Sequence, residues 1–329
     1  MNTHFKTIAL RTLLAASLIG VLHAKTAALF YDVDANRTAQ IEEMIEKGIK
    51  EIGFIVTDPS KNIQDPYTKK YGSSVFAKLD FFPITHEGKL QTLLEKEPRL
   101  AGFNPFNVLM YQRKGDKQIH VGHLSAEAIL EILNIQQPEV KKRYTAIINT
   151  LDGYLSKHLK TEARTTSYTV LPDNKMMEFE VTLERSNKDL DDVLETFQEN
   201  FEAAFEKHHY IIAGFENYKE AYENAPDTFG AFDAFWTYSL CHFTYSYSVF
   251  DHKNGRPDAG IFAPCTMYMY VKKGTNKLVI GMPRLANWHA LLGITDSKKV
   301  DFMKKLDTEI PSILQTDLHA KSLTQEKKK

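Results

Sequence analysis

Apolar residues at Ile41, Met44, Ile45, Ile49 and Ile52 recur at helical spacing and predict a helix with one buried face. A second stripe at Leu190, Val193, Leu194, Phe197, Phe201 and Phe205 predicts another, with Ser186 and Asp189 as its N-cap signal. Strand-like runs precede each stripe, at 27–33 and at 177–183, where Phe179 and Val181 alternate with polar residues. Two more follow each: 53–57 and 75–82 in the first case, 210–215 and 235–250 in the second. Next come two hairpins, 108–112 with 118–123 and 266–271 with 277–282, around Lys114-Gly115-Asp116 and Lys273-Gly274-Thr275. Glycine supplies the positive φ that such short loops use. Closing helices are predicted from Val140, Tyr144, Ile147, Ile148, Leu151 and Leu155, and from Val300, Met303, Leu306 and Ile310.

The two series are one unit written twice. Shifted by 159 positions without a gap, Phe103 meets Phe262, Pro105 meets Pro264, Met110 meets Met269 and Tyr111 meets Tyr270. Lys114 meets Lys273, Gly115 meets Gly274, Gly122 meets Gly281, Leu133 meets Leu292 and Ile135 meets Ile294. That many identities in one register is the signature of an internal repeat. Each copy reads strand, helix, four strands, helix. The fold class expected is α+β, two tandem copies of an antiparallel sheet with helices on one face. The copies are expected to differ at one insertion: a short helix, Lys89–Lys96, in the first, and the turn-rich Asp251–Pro257 in the second.

With Asn104-Pro105 or Ala263-Pro264 leading into a lysine-glycine hairpin and a final helix, each copy resembles the DUF302 family. These are small domains of a TATA-binding-protein-like α+β fold. The resemblance is clearest over residues 75–155, and the second copy departs from it upstream of Pro264. It implies a fold and brings no catalytic motif. It implies no DNA binding either, because one fold hosts many functions.

The N-terminus changes the picture of where the chain works. Lys6 and Arg11, the apolar run from Leu13 to Leu22 and then His23-Ala24 have the layout of a secretory signal peptide. The run is about half the roughly 20 residues that a bilayer-spanning helix needs. A signal peptide at 1–24, domains at 25–157 and 176–318, a linker at 158–175 and a disordered tail at 319–329 are therefore expected. So is a periplasmic or secreted location, with no membrane span once the signal is removed. Formal net charge over the 329 residues is −1, and loss of Lys6 and Arg11 makes it −3. No global basic surface invites nucleic acid, which is not expected as a partner.

The segment FWTYSLCHFTYSYSVF, 235–250, is the most unusual in the chain. Trp236, Tyr238 and Leu240 share one strand parity, and Phe243, Tyr245, Tyr247 and Val249 the other. The switch predicts a bulge near Cys241-His242. Two readings stay open. The aromatics are core, or an interface between the copies. Alternatively they line a groove for a small or peptidic ligand, with Trp236, Tyr238, His242, Tyr245 and Tyr247 as the binding residues. Cys241 and Cys265 fall opposite each other if their strands pair about a turn near Lys253, which predicts a cross-strand disulfide in an oxidising compartment.

Other motifs weigh less. His120 and His123 are three apart on a strand and point to opposite faces, so no metal site is expected there. His208-His209 and Asp191-Asp192 suit the two poles of a helix. No Gly-rich phosphate loop, HExxH or GxSxG is present, and no cofactor is expected. The function expected is that of an exported, non-enzymatic binding protein. The alternatives are a thiol redox or hydrolytic enzyme using Cys241, Cys265 and His242, and a structural or assembly partner.

Overall fold

A computed structural model describes residues 24–86, 88–184, 189–221, 229–251 and 254–323. The signal-peptide expectation falls on residues 1–23, outside that set. Among the described residues no helix is long and apolar enough to cross a membrane.

The first half runs β1 (Lys25–Asp34), α1 (Thr38–Glu46), β2 (Phe54–Val56), α2 (Gln64–Tyr71), β3 (Phe76–His86), α3 (Lys89–Lys96), β4 (Phe106–Arg113), β5 (Gln118–Leu124), α4 (Ala126–Ile132) and α5 (Pro138–Leu159). A further strand, β6 (Arg164–Tyr168), follows. The second half runs β7 (Met176–Thr182), α6 (Leu190–Lys207), β8 (Tyr210–Asn217), α7 (Tyr218–Ala221), β9 (Phe232–His242), α8 (Phe243–Phe250), β10 (Cys265–Lys272), β11 (Lys277–Pro283), α9 (Ala286–Leu292) and α10 (Ser297–Thr316), then β12 (Lys321–Ser322). The sheet orders are β2-β3-β4-β5-β1-β6 and β12-β7-β11-β10-β9-β8. Element for element, the five repeated strands take the same order in both halves, and every pairing is antiparallel.

Local chemistry explains these elements. Gly115 and Gly274 hold φ of 89° and 72° at the two hairpin tips. Asp189 caps α6 through a side-chain bond from Leu190 N, whereas Ser186 lies outside the described residues. The apolar stripes of α5 and α10 face inward: Tyr144, Ile148, Leu151, Met303, Leu306 and Ile310 are all buried.

Several expectations are corrected. The strand expected over 235–250 ends at His242, and Phe243–Phe250 is helical. The parity switch marks this strand-to-helix change and not a bulge; the Nδ1 of His242 accepts from Tyr245 N at 3.2 Å and caps the new helix. Both halves therefore carry a helix after their third strand, α3 and α8, so the copies do not differ there as expected. The stretch expected as a linker, 158–175, holds β6, which pairs with β1. The tail expected to be disordered begins with β12, which pairs with β7. Each half thus covers one sheet edge with a late strand, which blunts an otherwise open row of backbone donors and acceptors.

The halves interlock. A 3-10 helix of the first half, Pro98–Phe103, packs on β10 and β11, and its counterpart Pro257–Phe262 packs on β4 and β5. Asn107 Nδ2 donates to Gly260 O at 2.8 Å, Val75 N to Asp251 Oδ1 at 2.7 Å, and Tyr218 OH to Asn104 O at 2.8 Å. One contiguous hydrophobic cluster runs from Ala27 to Ala320 through both halves.

Candidate functional site

The five aromatic and histidine candidates do not line one groove. Tyr238 is buried under α6, where its ring stacks on Phe201 at 4.7 Å and its hydroxyl donates to Glu202 Oε1 at 2.7 Å. That polar handle is occupied. Tyr247 faces the other half, stacked on Tyr71 with ring centroids 3.8 Å apart. Around it, Tyr67 packs on Phe243 at 4.8 Å and donates to Ser246 Oγ at 2.7 Å, and Tyr71 OH donates to Thr244 Oγ1 at 3.1 Å. One face of α8 is therefore glue between the halves, and the interface reading holds for it.

His242, Tyr245 and the two cysteines do come together. With Met282 and Trp288 they wall a largely apolar cavity inside the second half. The space left between their atoms takes only one or two water-sized groups. Tyr245 OH lies 3.4 Å from His289 Nε2. Burial lowers the pKa of His242 and of His289.

The expected disulfide is not formed: Cys241 and Cys265 are free thiols. Cys265 pairs with Leu240, one residue away from the register that would set it opposite Cys241. The physical reason is the connection. Between the strands lie α8 and a 3-10 helix, so the sheet pairing and not a tight hairpin turn sets the register. Burial pushes the Cys241 thiol up to about 11. Burial, then its neighbour Cys241, raises Cys265 further. Catalytic cysteines need the opposite shift, because the thiolate is the nucleophile.

Trp236 reaches a third place. With Leu194 and Ala234 it floors an open groove of about 610 Å³ between the start of α6 and strands β8 and β9. Asp191, Asp192, Glu195, Glu220 and Asp233 line it, against one cation, Lys219. Lys219 Nζ is turned onto Phe232 O at 2.6 Å. Trp236 is 2% exposed and its indole Nε1 has no hydrogen-bond partner.

The histidine pair diverges as the strand geometry requires. His120 Nδ1 meets Asp32 Oδ1 at 2.7 Å, while His123, fully buried, lies against Asp152 of α5. Among the described residues no group of three or more His, Cys, Asp or Glu side chains is placed to hold a metal ion.

One repeated feature escapes the sequence reading. His86 ends β3 as His242 ends β9, each edge-on to the aromatic that begins the neighbouring strand: Phe54 at 4.9 Å and Tyr210 at 5.2 Å. These histidines are 156 positions apart, not 159, so an ungapped comparison misses them. Aligning Ile84-Thr85-His86 with Leu240-Cys241-His242 would have found the pair.

No family model matches the chain, and no curated protein matches it. Among solved structures it is similar to a crystal structure of an uncharacterized conserved protein, DUF302, from Bacillus stearothermophilus. Identity is 18%, the match covers 40% of this chain and 97% of that chain, and the TM-score is 0.34.

Proposed function

We propose that this chain is an exported, non-enzymatic binding protein whose ligand site is the acidic groove above Trp236, and that the ligand is a small cation or a basic peptide. The single observation that supports it is the groove's composition: an apolar floor beneath five carboxylates and one already engaged lysine. Exposed ion pairs contribute about 0.2 to 1 kcal/mol each. Several of them over an apolar floor support modest, salt-sensitive affinity. The groove is of a size that small ligands occupy. Export rests on the N-terminal layout alone. The thiol-enzyme alternative is disfavoured by the raised thiols of Cys241 and Cys265. The assembly-partner alternative lacks an aromatic patch: the exposed large apolar side chains among the described residues are Val170, Ile211, Phe215 and Leu323.

Titration calorimetry with tetralysine at low ionic strength tests this, with tetraglutamate as control. Saturable binding of the cationic peptide is expected, weakened by added salt and by Glu195→Gln. The chain has two tryptophans, so Trp288→Phe leaves Trp236 as the sole reporter in the groove. Its emission should change on binding. No heat and no emission change with tetralysine would sink the proposal.

A further inference from the structure

Strands β8 and β9 carry the acidic groove on one face, and their other face meets the first half. Tyr238 lies on the groove's side, packed on Phe201 of α6 and on Phe215. Successive strand residues point to opposite faces, so Thr237 and Ser239 face away from the groove. The register sets Glu216 opposite Thr237 and Gly214 opposite Ser239, which puts all four on that second face. Together with Asp58 of the first half they line one small cleft at the seam between the halves.

Oxygen atoms converge there. A Cβ on Gly214 would lie 3.5 Å from Asp58 Oδ2 and 3.6 Å from Ser239 Oγ, so both oxygens flank a spot where glycine puts no side chain. Ser239 is 7% exposed and Thr237 1%, yet neither hydroxyl meets a hydrogen-bond partner among the described residues. Buried hydroxyls ordinarily have one. Burial, then the charge of Asp58, raises the Glu216 carboxyl, and no lysine or arginine offsets either effect. The cleft has space for about one water-sized group, too little for an organic ligand. No Cys, Met or His among the described residues lines it, so its donors are oxygens, which suit a hard cation. Mg²⁺ gives up its water reluctantly, whereas Ca²⁺ accepts about six to eight oxygens in flexible geometry.

We propose that Asp58, Glu216 and Ser239 bind one Ca²⁺ ion over Gly214, at the seam between the halves. The carboxylates supply both negative charges and the Ser239 hydroxyl a third oxygen. Water on the open side completes the sphere, with the Thr237 hydroxyl placed to hold one molecule of it. The ion cancels the repulsion between the two carboxylates and ties the first half to the second. Two carboxylates are few for a calcium site, so a dissociation constant of about 0.1 to 1 mM is expected. The site is separate from the acidic groove, because the sheet lies between them.

The test uses purified full-length protein freed of divalent ions with EDTA. Ca²⁺ is titrated in by calorimetry, with Mg²⁺ as control, and thermal unfolding is followed with and without the ion. One Ca²⁺ per chain is expected, and a melting temperature raised by about 2 to 4 °C at about 10 mM Ca²⁺. Asp58→Asn and Glu216→Gln should each weaken binding on the order of tenfold or more. Asparagine tolerates the φ of 36° at Asp58 as aspartate does, so that variant keeps its backbone. Gly214→Ala discriminates best. Its Cβ makes only ordinary contacts and both carboxylates remain, yet the methyl takes the ion's place, so binding should be lost. Tetralysine binding should be untouched by Gly214→Ala, which separates this site from the groove. The absence of saturable Ca²⁺ binding overturns the proposal. So does binding that survives Gly214→Ala or Asp58→Asn, or that is lost in Glu195→Gln, which would put the ion in the groove instead. Glu216→Gln, expected to be more stable than the parent without Ca²⁺, keeps the test informative if another variant fails to fold.

Discussion

Tyr67 offers the sharpest probe of whether the halves depend on each other. It belongs to α2 of the first half and is 1% exposed. Its ring lies 4.8 Å from Phe243 and 5.3 Å from Tyr247, both on α8 of the second half. Its hydroxyl donates to Ser246 Oγ, which itself donates to Phe243 O at 2.9 Å. Tyr67→Phe keeps the ring and removes one buried hydrogen bond, at a cost of about 1 kcal/mol. Tyr67→Ala empties the site and should cost about 3 to 5 kcal/mol, as truncation of buried aromatics does. Both tryptophans, Trp236 and Trp288, lie in the second half. Urea unfolding followed by tryptophan fluorescence therefore reports on the half that was not mutated. The expected result is a single transition whose midpoint falls for Tyr67→Ala, in step with far-UV circular dichroism. A tryptophan midpoint unmoved by Tyr67→Ala, while circular dichroism shows an earlier phase, would refute the coupling. The halves would then be independent neighbours.

Further outcomes follow from other contacts. Gly122 and Gly281 are repeat equivalents, and a Cβ at either would strike an aromatic ring, Phe30 or Tyr268. Gly122→Ala and Gly281→Ala should each cost about 1 to 3 kcal/mol, read as a lower thermal midpoint. Burial, then Asp58, raises the Glu216 carboxyl above its ordinary value of 4.5. Its charged form opposes folding at neutral pH, and that opposition fades as pH falls through the raised value toward the unfolded one. Glu216→Gln should therefore raise the melting temperature at pH 7, with the gain shrinking as pH nears 4.5; equal gains at both pH values would contradict this. With Cys241 moved from 9.0 to about 11, its thiolate is about a hundredfold scarcer at pH 8 than that of an unperturbed cysteine. Iodoacetamide should label it correspondingly slowly in native protein and at the ordinary rate in urea.

The repeat, the order of its elements and the faces of its helices were legible in the sequence. Apolar spacing records which side of an element is hidden, and that record is local: Tyr144, Ile148 and Leu151 mark the inner face of α5 with no knowledge of the partner. The lysine-glycine hairpins were legible for the same reason, since the requirement for positive φ at Gly115 and Gly274 lies within a few residues. What hides each face was decided only by the tertiary structure. Phe243–Phe250 has strand-like aromatic alternation, yet it is a helix, because α2 of the other half supplies Tyr67 and Tyr71 to cover one side of it. The cysteine register depended on how the chain travels between two strands, and a shift of one residue took Cys265 from opposite Cys241 to opposite Leu240. Trp236, Tyr245 and Tyr247 share a sequence segment but went to a groove, a cavity and an interface. Their separation follows from long-range packing, in which each aromatic goes to whatever surface the rest of the molecule brings against it.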